Sequence, residues 1–312
     1  MRKYLTPDEI KKLIPDEMSE ITRKTPPPFF SESGTTCAHS LYYSLNGWLT
    51  NKQQFPKTAT EAIESCIDSW TQDGFTLIRN NEKAPIEPES NHIQLLFKAS
   101  PKLAPVLFLK NVKGRLDHAF RKLKTPVKFS ELNAFRALGA NTNKIVAEYI
   151  KKQISKENFA DNRYRKYLSQ FTFENLSHDI SEPYKSHSGR YWYNIHLVIV
   201  IEKRDYQITR SDVFEQIHNY LLKIAEKKKC IIAKFAIMPD HIHIALRGNI
   251  ELSPYEIALS FLNNLAYILR KGRFWSNEFY VGTFSSYALD QIGVDAGPPT
   301  KTSTPVAQGH RW

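Results

Sequence analysis

The stretch Met238-Pro239-Asp240-His241-Ile242-His243-Ile244-Ala245-Leu246 carries residues suited to chemistry. In a strand, successive side chains point to opposite sides, so His241, His243 and Ala245 share one face while Ile242, Ile244 and Leu246 fill the other. Two imidazoles about 7 Å apart on one face can share a metal ion. The plainer alternative is a pair of ordinary histidines on a half-solvated strand. A related but weaker pattern, His92-Ile93-Gln94, occurs earlier in the chain.

Regular elements must position these residues, and periodicity supplies them. Thr6-Pro7-Asp8-Glu9 has the cap, proline and acidic residue of a helix start, and Pro26-Pro27-Pro28 closes it, so residues 1–35 read as an N-terminal arm. Cys37 to Leu49 is aromatic and β-favouring and reads as one strand. Thr58 and Glu61 form a capping box for a helix burying Ile63, Ile67 and Trp70, with Gly74 behind it. Short strands at Phe75 to Ile78 and Asn91 to Phe97 precede a long helix from about Leu103 to Lys124. Its apolar face carries Val112, Leu116, Phe120 and Leu123, and its other face Lys110, Lys113, Arg115 and Arg121. A further helix spans Asn143 to Lys156.

Residues 157–188 are polar and aperiodic and read as a connector. Then come a strand from Tyr193 to Ile201, a helix from Ser211 to Lys227, a strand from Ile231 to Met238, and the histidine strand. A helix opening at Ser253-Pro254-Tyr255-Glu256 ends among Arg270, Lys271 and Arg273, and a Gly-, Pro- and Thr-rich tail over residues 293–312 is expected to be disordered.

The two halves repeat one order of elements, with His92 and Gln94 in the place of His241 and His243. A β-α-β-β-α order in each predicts an α+β fold of two tandem ferredoxin-like or RRM-like domains, each an antiparallel sheet with helices on one face. The expected boundaries are residues 36–156 and 189–292. A chain of 312 residues is long enough for two such cores. A formal charge of +11 and a pI near 9.4 suit a polyanionic partner, nucleic acid first. Cys37, Cys66 and Cys230 are odd in number and lack a C-x-x-C spacing, which points away from a disulfide framework or thiolate zinc site and towards a reducing cytoplasm. No apolar run approaches the roughly 20 residues that cross a bilayer, and none resembles a signal peptide, so no membrane association is expected.

Three segments resemble the single-tyrosine HUH transposases, which include the transposases of small bacterial insertion sequences and their repeat-associated relatives. Ile195-His196-Leu197-Val198-Ile199-Val200 through Lys203-Arg204 looks like the family's first strand, and Met238 to His243 like its metal-binding motif. Leu138-Gly139, followed by Val146-Ala147-Glu148-Tyr149-Ile150-Lys151-Lys152-Gln153, looks like its catalytic helix. The resemblance covers roughly residues 36–155 and 190–292. It implies that His241, His243 and Gln153 hold Mg²⁺ or Mn²⁺, and that Tyr149 attacks single-stranded DNA to give a covalent 5′-phosphotyrosine and a free 3′-hydroxyl. It also implies hairpin recognition by basic helices, for which Lys110, Lys113, Arg115, Arg121, Arg270, Lys271, Arg273 and Trp275 are candidates, with a core role for Trp275 equally open. Four residues apart on a helix, Tyr149 and Gln153 lie on one side and could reach one metal. A phenol with an ordinary pKa near 10 needs such help to attack.

Members of the family work as dimers in which the histidine pair of one subunit meets the tyrosine helix of the other. This chain looks like such a dimer fused into one polypeptide, a monomer acting as a pseudo-dimer with one composite site. In His92-x-Gln94 a neutral amide replaces an imidazole and is a poorer ligand. Opposite Tyr149 the repeat offers Pro298 or Ile292, according to register, and Tyr287 matches in neither. Two alternatives stay open: a second site from His92, Gln94, Tyr287 and Gln291, and a site wholly within the second half that uses Tyr287. The expected function is a metal-dependent single-stranded DNA endonuclease and strand transferase. The alternative is a pseudo-dimeric protein that binds a DNA or RNA hairpin without cutting it.

Overall fold

The computed structural model describes residues 28–51, 53–79, 91–156, 162–269, 274–292, 294, 297 and 299–302. The expected helix start at Thr6, the cations Arg270, Lys271 and Arg273, and Pro298 lie outside the described residues.

The repeat is present in space. The first half runs β2 (Tyr42–Leu49), α1 (Ala59–Gln72), β3 (Phe75–Ile78), β4 (His92–Ala99), α2 (Pro105–Lys122) and β5 (Phe129–Leu138), preceded by β1 (Thr36–Ser40) and followed by α3 (Asn143–Lys156) and α4 (Asn162–Ser169). After β6 (Thr172–Glu174), β7 (Tyr184–Ser186) and β8 (Gly189–Trp192), the second half runs β9 (Asn194–Ile201), α5 (Ser211–Lys227), β10 (Ile231–Ile237), β11 (His241–Arg247), α6 (Pro254–Leu269) and β12 (Trp275–Phe284), with β13 (Thr300–Lys301) last. The strand orders β3-β4-β2-β5 and β10-β11-β9-β12 are the same antiparallel arrangement. The α+β expectation of two ferredoxin-like sheets is borne out. One apolar core runs through both halves. Phe108, Val112, Leu116 and Phe120 of α2 line its first part, and Phe214, Ile217 and Leu221 of α5 with Ile257, Phe261 and Leu265 of α6 line its second.

Local signals are realised unevenly. Ser253 and Glu256 cap α6 reciprocally, the Ser253 N–H donating to Glu256 Oε2 (2.7 Å) and the Glu256 N–H to Ser253 Oγ (3.1 Å). The capping box expected at Thr58 does not form. Thr58 makes no cap hydrogen bond, and its hydroxyl pairs instead with Thr125 Oγ1 at 2.9 Å.

The sheets cross the expected boundaries. The single strand expected over Cys37 to Leu49 breaks at Leu41. Its first part, β1, adds in parallel to β12 of the second sheet, while β2 stays in the first. Reciprocally, β8 adds in parallel to β5 of the first sheet before the chain enters β9 of the second. The expected connector supplies β6, which pairs with β10, and β7, which pairs with β8. Within the tail, Thr300 and Lys301 pair with His39 and Ala38.

The segments that leave β5 and β12 also cross. Gly139 bridges Ala288 and Thr142 bridges Ser285, both in parallel, and the Asn143 N–H donates to the Ser285 carbonyl (2.7 Å). Beyond this crossing α3 lies on the second sheet, with Val146 and Ile150 packed on Ala236, Ala245 and Phe284. Leu289 and Val294 lie on the first sheet against Tyr42, Leu138, Ile78 and Leu96. The crossing requires glycine at 139, because a β-carbon there would sit 1.7 Å from the Thr283 carbonyl oxygen. All three cysteines are free and buried, and burial pushes their thiols up, to about 12 for Cys37 and about 11 for Cys66 and Cys230.

Gly139→Ala is expected to lower stability by about 3 kcal/mol, the upper end for forced overpacking, as a shift in the urea unfolding midpoint. Iodoacetamide at pH 8 is expected to leave all three cysteines unmodified in the folded protein and to label all three in denaturant, because the thiolate is the reactive form.

Candidate active site

The face of the second sheet under α3 is built by alternation and register. His241, His243 and Ala245 of β11 face Val200, Val198 and His196 of β9, and Val198 and His196 in turn face Tyr280 and Gly282 of β12. Cross-strand partners share a face, so His196 joins the His241 and His243 side, with Tyr280 beside it. Both histidines of the pair are buried, 3% and 5% exposed, because α3 covers this face. The half-solvated strand of the plainer reading does not occur.

Each imidazole is held through one nitrogen. His241 Nδ1 donates to Asp240 Oδ1 at 2.5 Å, and Asp240 also meets the Arg204 guanidinium at 2.9 Å. Burial alone would raise the Asp240 carboxyl. The hydrogen bond from His241 and the nearby Arg204 charge reverse that and hold it below its ordinary value. Arg204 reaches back because Lys203 and Arg204 both adopt left-handed backbone, with φ of 57° and 58°. That conformation costs a non-glycine residue about 1 kcal/mol, and such strain collects at functional sites. His243 Nδ1 lies 3.1 Å from His196 Nε2. Burial lowers His196 to about 4, so it is neutral at pH 7 and able to accept the His243 proton. Both histidines can then present the Nε2 lone pair.

Tyr149 comes to this face from the other half of the chain. Its ring lies 5.3 Å from that of His243, at 89°, and 6.1 Å from that of His196. Tyr149 is 39% exposed, whereas Gln153, one turn on, is buried. The Gln153 amide nitrogen donates to the Tyr149 carbonyl at 3.2 Å, which leaves its oxygen as the atom that could hold a cation. Tyr149, Gln153, His196, Arg204, His241, His243 and Tyr280 line one cavity of about 670 Å³. Burial pushes the Tyr280 phenol up to about 12, so this second tyrosine is a neutral wall.

The donor set fits a divalent cation. Two imidazoles anchored through Nδ1 and a buried amide oxygen share the cavity, and an aspartate orients one imidazole in the manner of metal-site outer shells. Among the described residues no three His, Cys, Asp or Glu side chains group to hold an ion, so the amide and a substrate oxygen would have to complete the set.

Other expected residues go elsewhere. His92 stacks on Trp48 (5.0 Å) and meets Asn46 Oδ1 (3.1 Å) on the first sheet, with Gln94 exposed on the same strand. Tyr287 lies against the Arg136 guanidinium (5.2 Å), and the Gln291 side chain accepts from the Ala288 N–H. Trp275 is 1% exposed in the core and is not a surface contact, a correction to its place among the nucleic-acid candidates. Arg115 pairs with Asp73 and Arg121 with Asp117 on the surface. Lys113 is turned inward to the Ser130 carbonyl and Asn133, and with Lys110 lines a second cavity of about 720 Å³. No spacing in the sequence links His196 to the histidine pair. Its one signal was a histidine in an otherwise apolar strand, and only the β9–β11 register ties it to the pair. Asp240 and Arg204 stand within the two motifs, yet nothing in the sequence marks them as a pair that orients His241.

Residues 190–293, the second repeat, match the model of the family described as "Transposase IS200 like". Over this segment the resemblance to single-tyrosine transposases is borne out. A Deinococcus radiodurans R1 protein, provisionally assigned as a transposase and solved at 1.90 Å, is 20% identical, and the alignment covers 32% of this chain and 84% of that one. Its TM-score of 0.26 is too low to bear on the fold. No curated protein matches the chain. Among the described residues no helix is long and apolar enough to cross a membrane.

Asp240→Asn is expected to weaken Mn²⁺ binding, followed by isothermal titration, about 10–100-fold, the range for loss of a ligand-orienting partner.

Proposed function

We propose that this protein is a divalent-metal-dependent endonuclease and strand transferase acting on single-stranded DNA at one site shared between its two repeats. The observation that carries this reading is the Tyr149 ring, delivered by the first half of the chain, lying edge-on to His243 of the second. The family match to residues 190–293 supports a transposase-like activity, and the charge of +11 suits a polyanionic strand.

In this reading Tyr149 Oη attacks a backbone phosphorus in line with the departing 3′-oxygen. The P–O bond to Tyr149 forms as the bond to that oxygen breaks, the phenolic proton is lost to solvent, and the 3′-oxygen leaves as a hydroxyl after taking up a proton. The 5′-phosphate stays on the tyrosine. An incoming 3′-hydroxyl reverses the step and joins a strand. A divalent ion on His241, His243 and Gln153 would polarise the phosphate and offset its charge. His196 keeps His243 in the required tautomer, Asp240 does so for His241, and Ile150 fixes the helix turn that carries the nucleophile. Hairpin recognition by this single chain, without a partner copy, belongs to the same proposal.

Tyr149→Phe and His243→Ala are each expected to reduce nicking of a single-stranded substrate to background in Mg²⁺ or Mn²⁺, and Tyr149→Phe to abolish the covalent adduct on a denaturing gel. Tyr287→Phe is expected to leave both intact. Full adduct formation by Tyr149→Phe would refute the assignment, and binding without any cutting by the parent protein would favour a hairpin binder.

A further inference from the structure

The first repeat has the same sheet as the second, and its corresponding face carries different side chains. Register places Asn46 and Trp48 of β2, His92 and Gln94 of β4, Ala134 and Arg136 of β5, and Arg190 and Trp192 of β8 on one side, away from α1 and α2. Among the described residues, the covering segment reaches one end of this face, where Leu289 and Val294 meet Tyr42, Leu138, Ile78 and Leu96. Over the rest, aromatic rings and cations stand in reach of solvent. Trp48 is 36% exposed and backed by His92. The Arg136 guanidinium is sandwiched near Trp192 (3.9 Å) and Tyr287 (5.2 Å), with Tyr287 54% exposed. Arg190 is exposed beside them.

An open sheet face bearing exposed rings among cations has the composition that single strands need. Every base offers a π-face to stack, and the phosphates meet the positive charge. Trp48 lies four residues along β2 from Ser44, the cross-strand partner of Arg136, so the two aromatic groups stand about 13 Å apart along the strand and about 10 Å apart across the sheet. That separation suits an extended strand crossing the face better than a single bound base. We propose that the open face of the first sheet is a base-stacking platform for single-stranded DNA, with Trp48, Trp192 and Tyr287 as stacking groups and Arg136 and Arg190 as phosphate contacts. The choice of DNA rests on the function proposed above; the stacking role rests on this face alone.

The test uses full-length protein carrying Tyr149→Phe, so that binding is read without cutting. With a fluorescein-labelled oligothymidylate of about 15 nucleotides, adding Trp48→Ala and Tyr287→Ala is expected to weaken binding at least about tenfold by anisotropy, given the free energy of base–aromatic stacking. Both residues are exposed, so the fold should survive. On the chain with neither change, a 5-bromouracil-substituted strand should photo-cross-link to peptides containing Trp48, Trp192 or Tyr287. Affinity changed less than twofold, together with cross-links confined to α3 and β11, would overturn the platform. That result would leave the covalent-adduct assay, and the cutting function it reads, unaffected.

Discussion

The candidate site depends on two apolar side chains of one helix seated on a sheet built by the other half of the chain. Val146 and Ile150 of α3 pack on Ala236 and Ala245, and burying each such side chain contributes about 1.5–3 kcal/mol. Residues adjacent on a helix point about 100° apart, so fixing Ile150 inward sends Tyr149 to the flank. There its ring leans on His243 while staying partly open to solvent. Gln153 follows one turn on, on the same stripe. Chemistry at this place is thus set by packing of the neighbouring residue and by the Gly139 crossing that lets the helix reach the foreign sheet.

Two sheets that share one four-strand order have diverged through what stands on one face. Ala245 pairs across the sheet with His196, and Leu96 pairs with Ser44, so these two residues occupy equivalent positions. The alanine lets a helix lie close; the leucine fills that space and, among the described residues, packs with Leu289 and Val294. The same comparison sets buried His241 and His243 against half-buried His92 and exposed Gln94. Within a single chain the two faces are free to differ, a freedom that identical subunits of a dimer lack.

Local signals carried much of this in the sequence. The helices Asn143–Lys156 and Ser211–Lys227 follow from apolar periodicity, and the repeated element order pointed to two sheets of one kind. The exchanges between sheets were not legible. Nothing local marks Leu41 as a break, since neither Gly nor Pro stands there and the residues on both sides favour extended backbone. Parallel pairing of β1 with a strand from the far end of the chain leaves no trace in any window. For Trp275, set beside a cluster of cations in the sequence, contact and core are equally open, and only tertiary packing decides for the core. His196 needed the strand register before its alternation meant anything.

The order in which the chain is made gives the strand exchange a temporal side. Thr36 to Ser40 leave the ribosome long before the residues they pair with, Glu278 to Gly282. A strand with Cys37 and Ala38 buried in the finished molecule must therefore wait, unpaired, until β12 has emerged. Pairings of such high sequence separation close slowly, and waiting edges are where aggregation begins. Throughout the synthesis of the residues between β1 and β12, the first strand has no neighbour.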